Sequence, residues 1–157
     1  MEGIGRLSRD RALRLEARMT ADENKAIVLR WIDEAVNKGN LAVAAELVAA
    51  DCIEHNVPAG STPGREGTKQ RVAGFRTAFP DLHVVVEDVI AEGDKVVTRW
   101  AARGTHKGPL MGIPPTNKQA SWVSIHVNRL VDGQITEDWH ASDLLGVLRQ
   151  LGVFPAR

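Results

Sequence analysis

The feature that most constrains the fold is a change in hydrophobic period near the middle of the chain. Up to Phe79, apolar residues recur at spacings of three and four, as they do on the buried face of a helix. From His83 onward, they alternate with polar residues, which is the period of a half-buried strand. Helices followed by an antiparallel meander predict an α+β fold whose helices cover one face of a curved sheet.

Three helices are predicted in the first half. Asp22 is the expected N-cap of the first helix, and Gly39 supplies a left-handed cap at its end. A loop rich in Pro and Gly over 58–64 precedes the third helix. The predicted elements are a helix from Asp22 to about Asn37, a short helix over 41–49, an extended segment over 52–57 and a helix over 66–79.

Four strands and a terminal helix are predicted in the second half. Glu92-Gly93-Asp94 and Val131-Asp132-Gly133 are typical of hairpin turns. Asp143 is the expected N-cap of the last helix, and Gly152 is expected to end it. The predicted strands cover 83–91, 95–105, 121–130 and 134–141.

Length and charge limit the domain count and the partners. A chain of 157 residues suits one domain. We assign residues 1–19 to an N-terminal extension, with Met19 as an alternative start, and residues 20–157 to the single domain. Twenty basic residues balance twenty acidic ones, which argues against nucleic acid. The sequence lacks a membrane-spanning apolar run, a secretory signal and a second cysteine beside Cys52. We therefore expect a cytoplasmic protein in which Cys52 is structural.

The third strand has two different faces. Its even positions are Trp122, Ser124, His126 and Asn128, and its odd positions begin Val123, Ile125 and Val127. The first set either lines a ligand pocket or faces water. The tryptophan favours a pocket, because a large ring is costly to leave in solvent.

The geometry of the last hairpin decides whether a chemical cluster forms. A two-residue Asp132-Gly133 loop would pair His126 with Trp139. A three-residue loop with a left-handed bulge at the glycine would bring His126, Asp138 and His140 together. Two imidazoles and a carboxylate in a partly dry pocket suit proton abstraction next to a carbonyl. His140 fits equally well as the buried partner of a backbone carbonyl.

Metal and cofactor sites find no support in the spacing of the residues. The five histidines form no HxH or HExxH unit, so we expect no metal. Neither GxGxxG nor GxxxxGK[ST] occurs, so we expect no nucleotide cofactor. Ser142 does not lie on a GxSxG elbow, which argues against nucleophilic hydrolysis.

Three segments resemble the SnoaL-like polyketide cyclases of the NTF2-like superfamily. They are GTHKGPLMGIPPT at 104–116, IHVNRLVDGQI at 125–135 and LRQLG at 148–152. The similarity covers about Thr20 to Gly152. It implies a cone-shaped α+β fold and a homodimer or homotetramer packed through the outer face of the sheet. It also implies cofactor-free aldol ring closure of an aromatic polyketide ester.

The resemblance suggests which residues carry the chemistry. In the family, a carboxylate on the last strand takes the acidic proton, and a histidine on the preceding strand polarises the carbonyl. His126 matches that histidine, and His140 stands at the position of the aspartate, between Asp138 and Asp143. The resemblance therefore implies His140 as general base, assisted by Asp138 or Asp143, and His126 as donor to the enolate oxygen. It also favours the odd-length hairpin loop.

The expected ligand is a small apolar or aromatic molecule. The predicted pocket residues are Trp31, Trp100, Trp122 and Trp139 as an apolar wall, with Ser124, Asn128 and His55 as further contacts. The main alternative is a non-catalytic module that binds small ligands, because the same cone serves as a carrier in other proteins. A tailoring hydroxylase of the same family is the third interpretation.

Overall fold

Most of the helical elements come first along the chain and four of the five strands follow, as the change of hydrophobic period predicts. The computed structural model describes residues 19–154, so the predicted extension lies outside the described residues apart from Met19. The helical elements are α1 (Ala21–Trp31) with a π-helical continuation (Ile32–Asn37), a 3₁₀ turn (Leu41–Val43), α2 (Ala44–Leu47), α3 (Gly64–Ala78) and α4 (Leu144–Leu151). The strands are β1 (Val48–Glu54), β2 (His83–Glu92), β3 (Lys95–Thr105), β4 (Gln119–Val131) and β5 (Gln134–Ser142).

The first helix begins two residues earlier than the sequence predicts. Thr20 is its N-cap, because the Thr20 hydroxyl accepts a hydrogen bond from the Glu23 amide at 3.2 Å. The Glu23 carboxylate accepts in return from the Thr20 amide at 2.7 Å, which completes a capping box. The assignment of Asp22 as N-cap was therefore wrong. Thr20 lies three residues before Glu23, and the two side chains together satisfy two backbone amides.

The end of the first helical segment is tied to the rest of the fold. Gly39 has a φ of 73°, which confirms the predicted left-handed cap. Arg76 of α3 donates to the carbonyls of Val36 and Asn37 at 2.9 and 2.7 Å, and so satisfies groups that a helix end leaves without partners. The Asn37 side chain both donates to and accepts from the backbone of Val84, which fixes the helix against β2.

The predicted second helix is shorter than expected. Only Ala44–Leu47 is α-helical, because Val48 already belongs to β1. This strand pairs in parallel with β5, where Val48 lies opposite Ile135. The extended segment predicted over 52–57 is therefore the end of a strand that begins at Val48 and stops at Glu54. A pairing partner more than eighty residues away leaves no trace in the local sequence.

The five strands form one mixed sheet in the order β1-β5-β4-β3-β2. All neighbours are antiparallel except β1 and β5. The α+β prediction is confirmed, and the sheet is curved, with the N-terminal helices on one side. None of the helices within residues 19–154 combines the length and the apolar character needed to cross a membrane.

The core lies between the helices and the inner face of the sheet. Val28, Ile32 and Ala35 contribute the buried stripe of the first helical segment. Phe79, which follows α3, is fully buried, and a Cβ atom added at Gly104 would lie 2.8 Å from it. Glycine at 104 thus lets β3 approach this ring closely.

Candidate active site

A cavity of about 640 Å³ lies between the helices and the sheet, with a wall that is mainly apolar. Its large apolar lining residues are Trp31, Phe75, Trp100, Leu110, Met111 and Trp122. Three of the four tryptophans predicted as wall residues are among them. A hollow of this size and character suits a drug-sized, largely apolar ligand.

The even positions of β4 face this cavity. Trp122, Ser124, His126 and Asn128 all line it. On the opposite face, Val123 and Ile125 are 46% and 47% exposed. The pocket interpretation of this strand is therefore the one that the structure supports, and the solvent interpretation is wrong.

A bulge in β5 brings its polar residues to the same face. Asp132 and Gly133 form a two-residue turn with φ of 49° and 78°, as a type I′ turn requires, so the loop is not the odd-length one that the resemblance favours. Leu130 lies opposite Ile135, but Arg129 lies opposite Glu137, which leaves Thr136 unpaired. The extra residue shifts the register by one, as a β-bulge does.

This bulge brings together the same residues that the three-residue loop was predicted to bring together. His126 lies directly opposite His140, and Asn128 lies opposite Asp138. Asp138, His140 and Ser142 line the cavity together with Ile135, although Ile135 and Asp138 are three positions apart, an odd spacing. A regular strand could not place both on one face, because its side chains alternate.

Asp138 lies at the centre of the polar cluster. Its Oδ1 is 3.1 Å from Nδ1 of His126 and 2.9 Å from Nδ2 of Asn128, which donates to it. Its Oδ2 is 3.0 Å from Nδ1 of His140. One carboxylate thus binds both imidazoles, each of them through its own Nδ1 atom.

The electrostatics of Asp138 determine the tautomers of the two histidines. Burial by itself would raise the pKa of Asp138, but the hydrogen bonds from His126 and His140 and their charge hold this pKa well below its usual range. An ionised carboxylate only accepts hydrogen bonds, so each Nδ1 carries a proton. The Nε2 atom of each neutral ring is then a free base. Neither Nε2 has a hydrogen-bond partner among residues 19–154.

Aromatic stacking fixes the two rings further. The indole of Trp100 stacks on His126 with centroids 4.0 Å apart, and the rings of His126 and His140 are stacked 5.2 Å apart. Their side chains are 16% and 25% exposed. The rings are therefore held in place yet remain accessible from the cavity.

The same three side chains contain donor types that could hold a metal ion. Ligand atoms of His126, Asp138 and His140 lie within 4.8 Å of one another, and two histidines with one carboxylate are the ligands of many non-haem iron sites. However, the planes of the two rings differ by only 19°. Their in-plane lone pairs run side by side instead of converging on one point, which fits a shared carboxylate better than a shared ion.

A second polar group lines the cavity, and the sequence analysis missed it. Glu54 of β1 forms an ion pair with Arg71 of α3, and Thr68 donates to the same carboxylate. Thr68, Arg71, Val72 and Phe75 all line the cavity and have the spacing of one helix face. This spacing was the available signal. It was overlooked because arginine and threonine were not counted toward an apolar stripe.

Two predicted pocket residues lie on the other face of the sheet. The His55 and Trp139 rings stack with centroids 4.4 Å apart, and neither lines the cavity. His55 Nε2 is 2.8 Å from Oε2 of Glu137, and this bond, with the charge of Arg129, lowers the pKa of the Glu137 carboxyl. The predicted wall role of Trp139 and the predicted contact role of His55 are corrected here, because the bulge turns Trp139 outward, where His55 stacks on it, while it turns Asp138 and His140 inward.

The remaining predicted residues have simpler surroundings. Asp143 accepts a hydrogen bond from the Gly146 amide at 2.8 Å as the N-cap of α4, and it does not line the cavity. Ser124 Oγ lies 2.6 Å from Ser142 Oγ. Cys52 is buried, and burial raises the pKa of its thiol to about 11, which agrees with a structural role.

Comparisons with known proteins agree with this architecture. The model of the SnoaL-like polyketide cyclase family matches residues 26–151. The aklanonic acid methyl ester cyclase DnrD of Streptomyces peucetius is 31% identical over 131 residues, which cover 80% of this chain and 88% of DnrD. The nogalonic acid methyl ester cyclase of Streptomyces nogalater is 34% identical over 101 residues, or 64% of this chain and 72% of the relative.

Solved structures lead to the same family. TsrD from Streptomyces laurentii superposes with a TM-score of 0.80 at 26% identity, covering 87% of this chain and 99% of TsrD. The fold and the largely apolar cavity define an NTF2-like domain with a pocket for a small molecule. The chain belongs to the SnoaL-like polyketide cyclase family, as the resemblance of its three motifs predicts.

Proposed function

We propose that this protein is a cofactor-independent cyclase that closes a ring in an aromatic polyketide-like ester by acid–base chemistry. The observation that carries the proposal is the pair of imidazoles bound through Nδ1 to one buried carboxylate, with both Nε2 atoms left for the cavity. The names of the relatives support the ester as substrate class, since two of them are methyl ester cyclases.

The proposed reaction begins with removal of a proton next to a carbonyl group. His140 Nε2 takes the proton, and the electron pair of the C–H bond moves into an enolate. His126, in its protonated form, donates to the enolate oxygen, and ionised Asp138 between the rings stabilises the positive charge that passes between them. The enolate carbon then attacks a second carbonyl carbon of the same molecule. The resulting alkoxide takes its proton back from a protonated imidazole.

The rest of the cavity suits an aromatic substrate. Trp100 lies against His126, and Trp122 packs beside Phe79 with centroids 5.2 Å apart. Flat rings bound along this wall would have their acyl groups at the polar end of the cavity. Holding the reacting carbons together in this way removes most of the entropic cost of ring closure.

The proposal is tested by removing each imidazole. His140→Ala and His126→Ala are each expected to lower turnover of a cyclisable polyketide methyl ester by about 10² to 10⁴, the usual contribution of a positioned acid or base. His83→Ala, which removes an exposed histidine at the start of β2, is the matched control and is expected to retain activity. Steady-state kinetics and melting temperatures are measured together. Turnover like that of the wild type in both cavity variants would reject the proposal.

The alternative functions give different results in the same experiment. A ligand carrier would quench tryptophan fluorescence on binding but form no product. A hydroxylase would consume oxygen with an added reductant, whereas the proposed cyclase would not. Turnover in the presence of EDTA is expected to be unchanged, because every proposed step uses side chains of this chain alone.

We also propose that the outer face of the sheet is a contact between copies of the chain, in a homodimer or homotetramer. Val85, Val123 and Ile125 are half exposed on this face, which is more apolar surface than solvent normally meets. Sedimentation of the wild type and of Ile125→Lys would test this. We expect dissociation in the variant, and a monomeric wild type would rule it out.

A further inference from the structure

The polar end of the cavity carries an ion pair that the proposed reaction does not use. Glu54 and Arg71 face the cavity from β1 and α3, opposite each other across the boundary between sheet and helix. Their side chains are 9% and 26% exposed. Burying an ion pair is costly, and the pair often contributes nothing to stability. Its position in a ligand cavity therefore suggests a role in binding the ligand.

Glu54 lies beside the catalytic cluster. It is the register partner of Asp138 in the pairing of β1 with β5, and both carboxylates line the cavity. Burial lowers the pKa of the Arg71 guanidinium, and the charge of Asp138 partly offsets this effect, so Arg71 is close enough to interact with the same cluster. The two polar groups therefore form one continuous surface at one end of an apolar cavity.

The charges at this surface do not balance. The charged residues that line the cavity, among those that the structure describes, are Glu54, Arg71, Asp138 and the two histidines. With both imidazoles neutral, the cavity therefore carries one more negative charge than positive, and the protonated His126 of the proposed reaction only restores neutrality, so no positive charge is left over for a further anion. A ligand with a carboxylate at this end would bring a third anion beside two, where little water can screen the repulsion.

Arg71 nevertheless has donors to offer. Its closest approach to Glu54 and its hydrogen bond to Thr68 both use Nη2, and Nε and Nη1 donate to no residue other than Glu54 within the described part of the chain. A neutral carbonyl oxygen can accept from these donors without adding charge. Arg71 thus favours a ligand that presents a hydrogen-bond acceptor, and the neighbouring carboxylates disfavour a ligand that is negatively charged.

We propose that the Glu54–Arg71 pair selects ligands that present a neutral ester or ketone carbonyl and rejects the corresponding carboxylate. Arg71 binds the carbonyl oxygen, and Glu54 supplies the negative charge that excludes the free acid. The inference rests on the proposed function only in assigning a carbonyl-bearing aromatic molecule to the cavity. It adds the residues that determine which acyl group is accepted.

The test compares three matched ligands in a binding assay without turnover. An anthracene carboxylic acid, its methyl ester and the unsubstituted anthracene, which has no carbonyl group, are titrated at neutral pH, where the acid is ionised, with tryptophan fluorescence as the readout. In the wild type, the ester is expected to bind at least about tenfold more tightly than the acid. Equal affinity for the acid and the ester would overturn the proposal.

Two variants separate the parts of the pair. Glu54→Gln removes one negative charge and frees Arg71, so the acid is expected to bind about tenfold more tightly while the ester changes little. Arg71→Gln is expected to weaken ester binding by about tenfold, because a hydrogen bond from a charged donor is lost. Glu66→Gln is the matched control, since it makes the same charge change on an exposed part of α3.

The unsubstituted anthracene shows whether a variant has simply damaged the cavity. Its affinity is expected to stay the same in both variants, because it has no acyl group to meet the pair. A fall in its affinity equal to that of the ester, or a Glu54→Gln effect of the same size on acid and ester, would contradict the proposal. Ester selectivity without any turnover would reject the cyclase proposal alone. Turnover without ester selectivity would reject this inference alone.

Discussion

The inner and outer faces of the β4–β5 hairpin reverse the usual distribution of polarity. On the inner face, Ser124 and Asn128 are only 3% and 7% exposed, and they lie beside a buried carboxylate, Asp138. On the outer face, Val123 and Ile125 are about half exposed. Polar groups normally face water and aliphatic groups normally face the core. A sheet with the opposite arrangement has a ligand site inside and, by our proposal, a contact surface outside.

The comparison also separates two sets of similar side chains by function. The inner face holds His126, His140 and an acid between them, and the outer face holds His55, Trp139 and Glu137. Each set contains an imidazole bound to a carboxylate. Of the two, only the inner set lines the cavity, where burial lowers the local dielectric and strengthens charge interactions.

The largest expected effect is the loss of turnover when Asp138 on the inner face is substituted, compared with substitution of its neighbour Glu137 on the outer face. Asp138→Asn replaces an acceptor with a group that can also donate, so His126 and His140 lose the partner that fixes their tautomer. We expect turnover to fall by about 10² to 10⁴, in line with losses seen when a histidine loses its orienting carboxylate. Steady-state kinetics on the polyketide ester measure the change.

Glu137→Gln is the control for this substitution. It makes the same change of charge one residue away, on the outer face, and is expected to alter turnover by less than about twofold, since Glu137 does not line the cavity. Equal losses in the two variants would mean that the hairpin as a whole, and not its inner face, supports activity.

A smaller effect is expected in the pH dependence of stability. The pKa of Asp138 is lower in the folded protein than in the unfolded chain, where it is about 3.9. Its stabilising contribution is therefore complete above that value and is lost as the pH falls below it. The difference in free energy of unfolding between the wild type and Asp138→Asn should shift against the wild type as the pH falls from about 5 to 2.

Denaturant titrations across this acidic range measure that difference. The Glu137→Gln variant is expected to show a weaker dependence, because the pKa of the Glu137 carboxyl is lowered less than that of the Asp138 carboxyl. A difference between wild type and Asp138→Asn that stays constant with pH would show that Asp138 is not held ionised by its neighbours.

Much of the fold follows from the sequence, because local period and turn chemistry were sufficient. The spacing of apolar residues located the helices, and alternation located four of the five strands. What failed depended on distant contacts. β1 exists because it pairs with β5, and the helix predicted over 41–49 ends early for the same reason.

The site was predictable in part. The polar face of β4 could be identified from alternation alone, but the face of β5 could not, because a single bulge at Thr136 reverses it. The family resemblance favoured the observed placement of His126 and His140 on one face, but it attributed this placement to an odd-length loop instead of a bulge. Asp143 follows a common capping pattern, so the sequence could not separate a helix cap from an acid of the site. Arg71 was visible in the helix spacing and was missed.

The account depends most on the claim that Asp138 binds both inner imidazoles through Nδ1 and leaves both Nε2 atoms as bases in the cavity. NMR of the histidine ring nitrogens at mildly alkaline pH, where free imidazoles are neutral, measures the tautomers directly. We predict that His126 and His140 both carry their proton on Nδ1 in the wild type, and that the Nε2–H form gains population in Asp138→Asn. Nε2–H tautomers for either ring in the wild type would contradict the account.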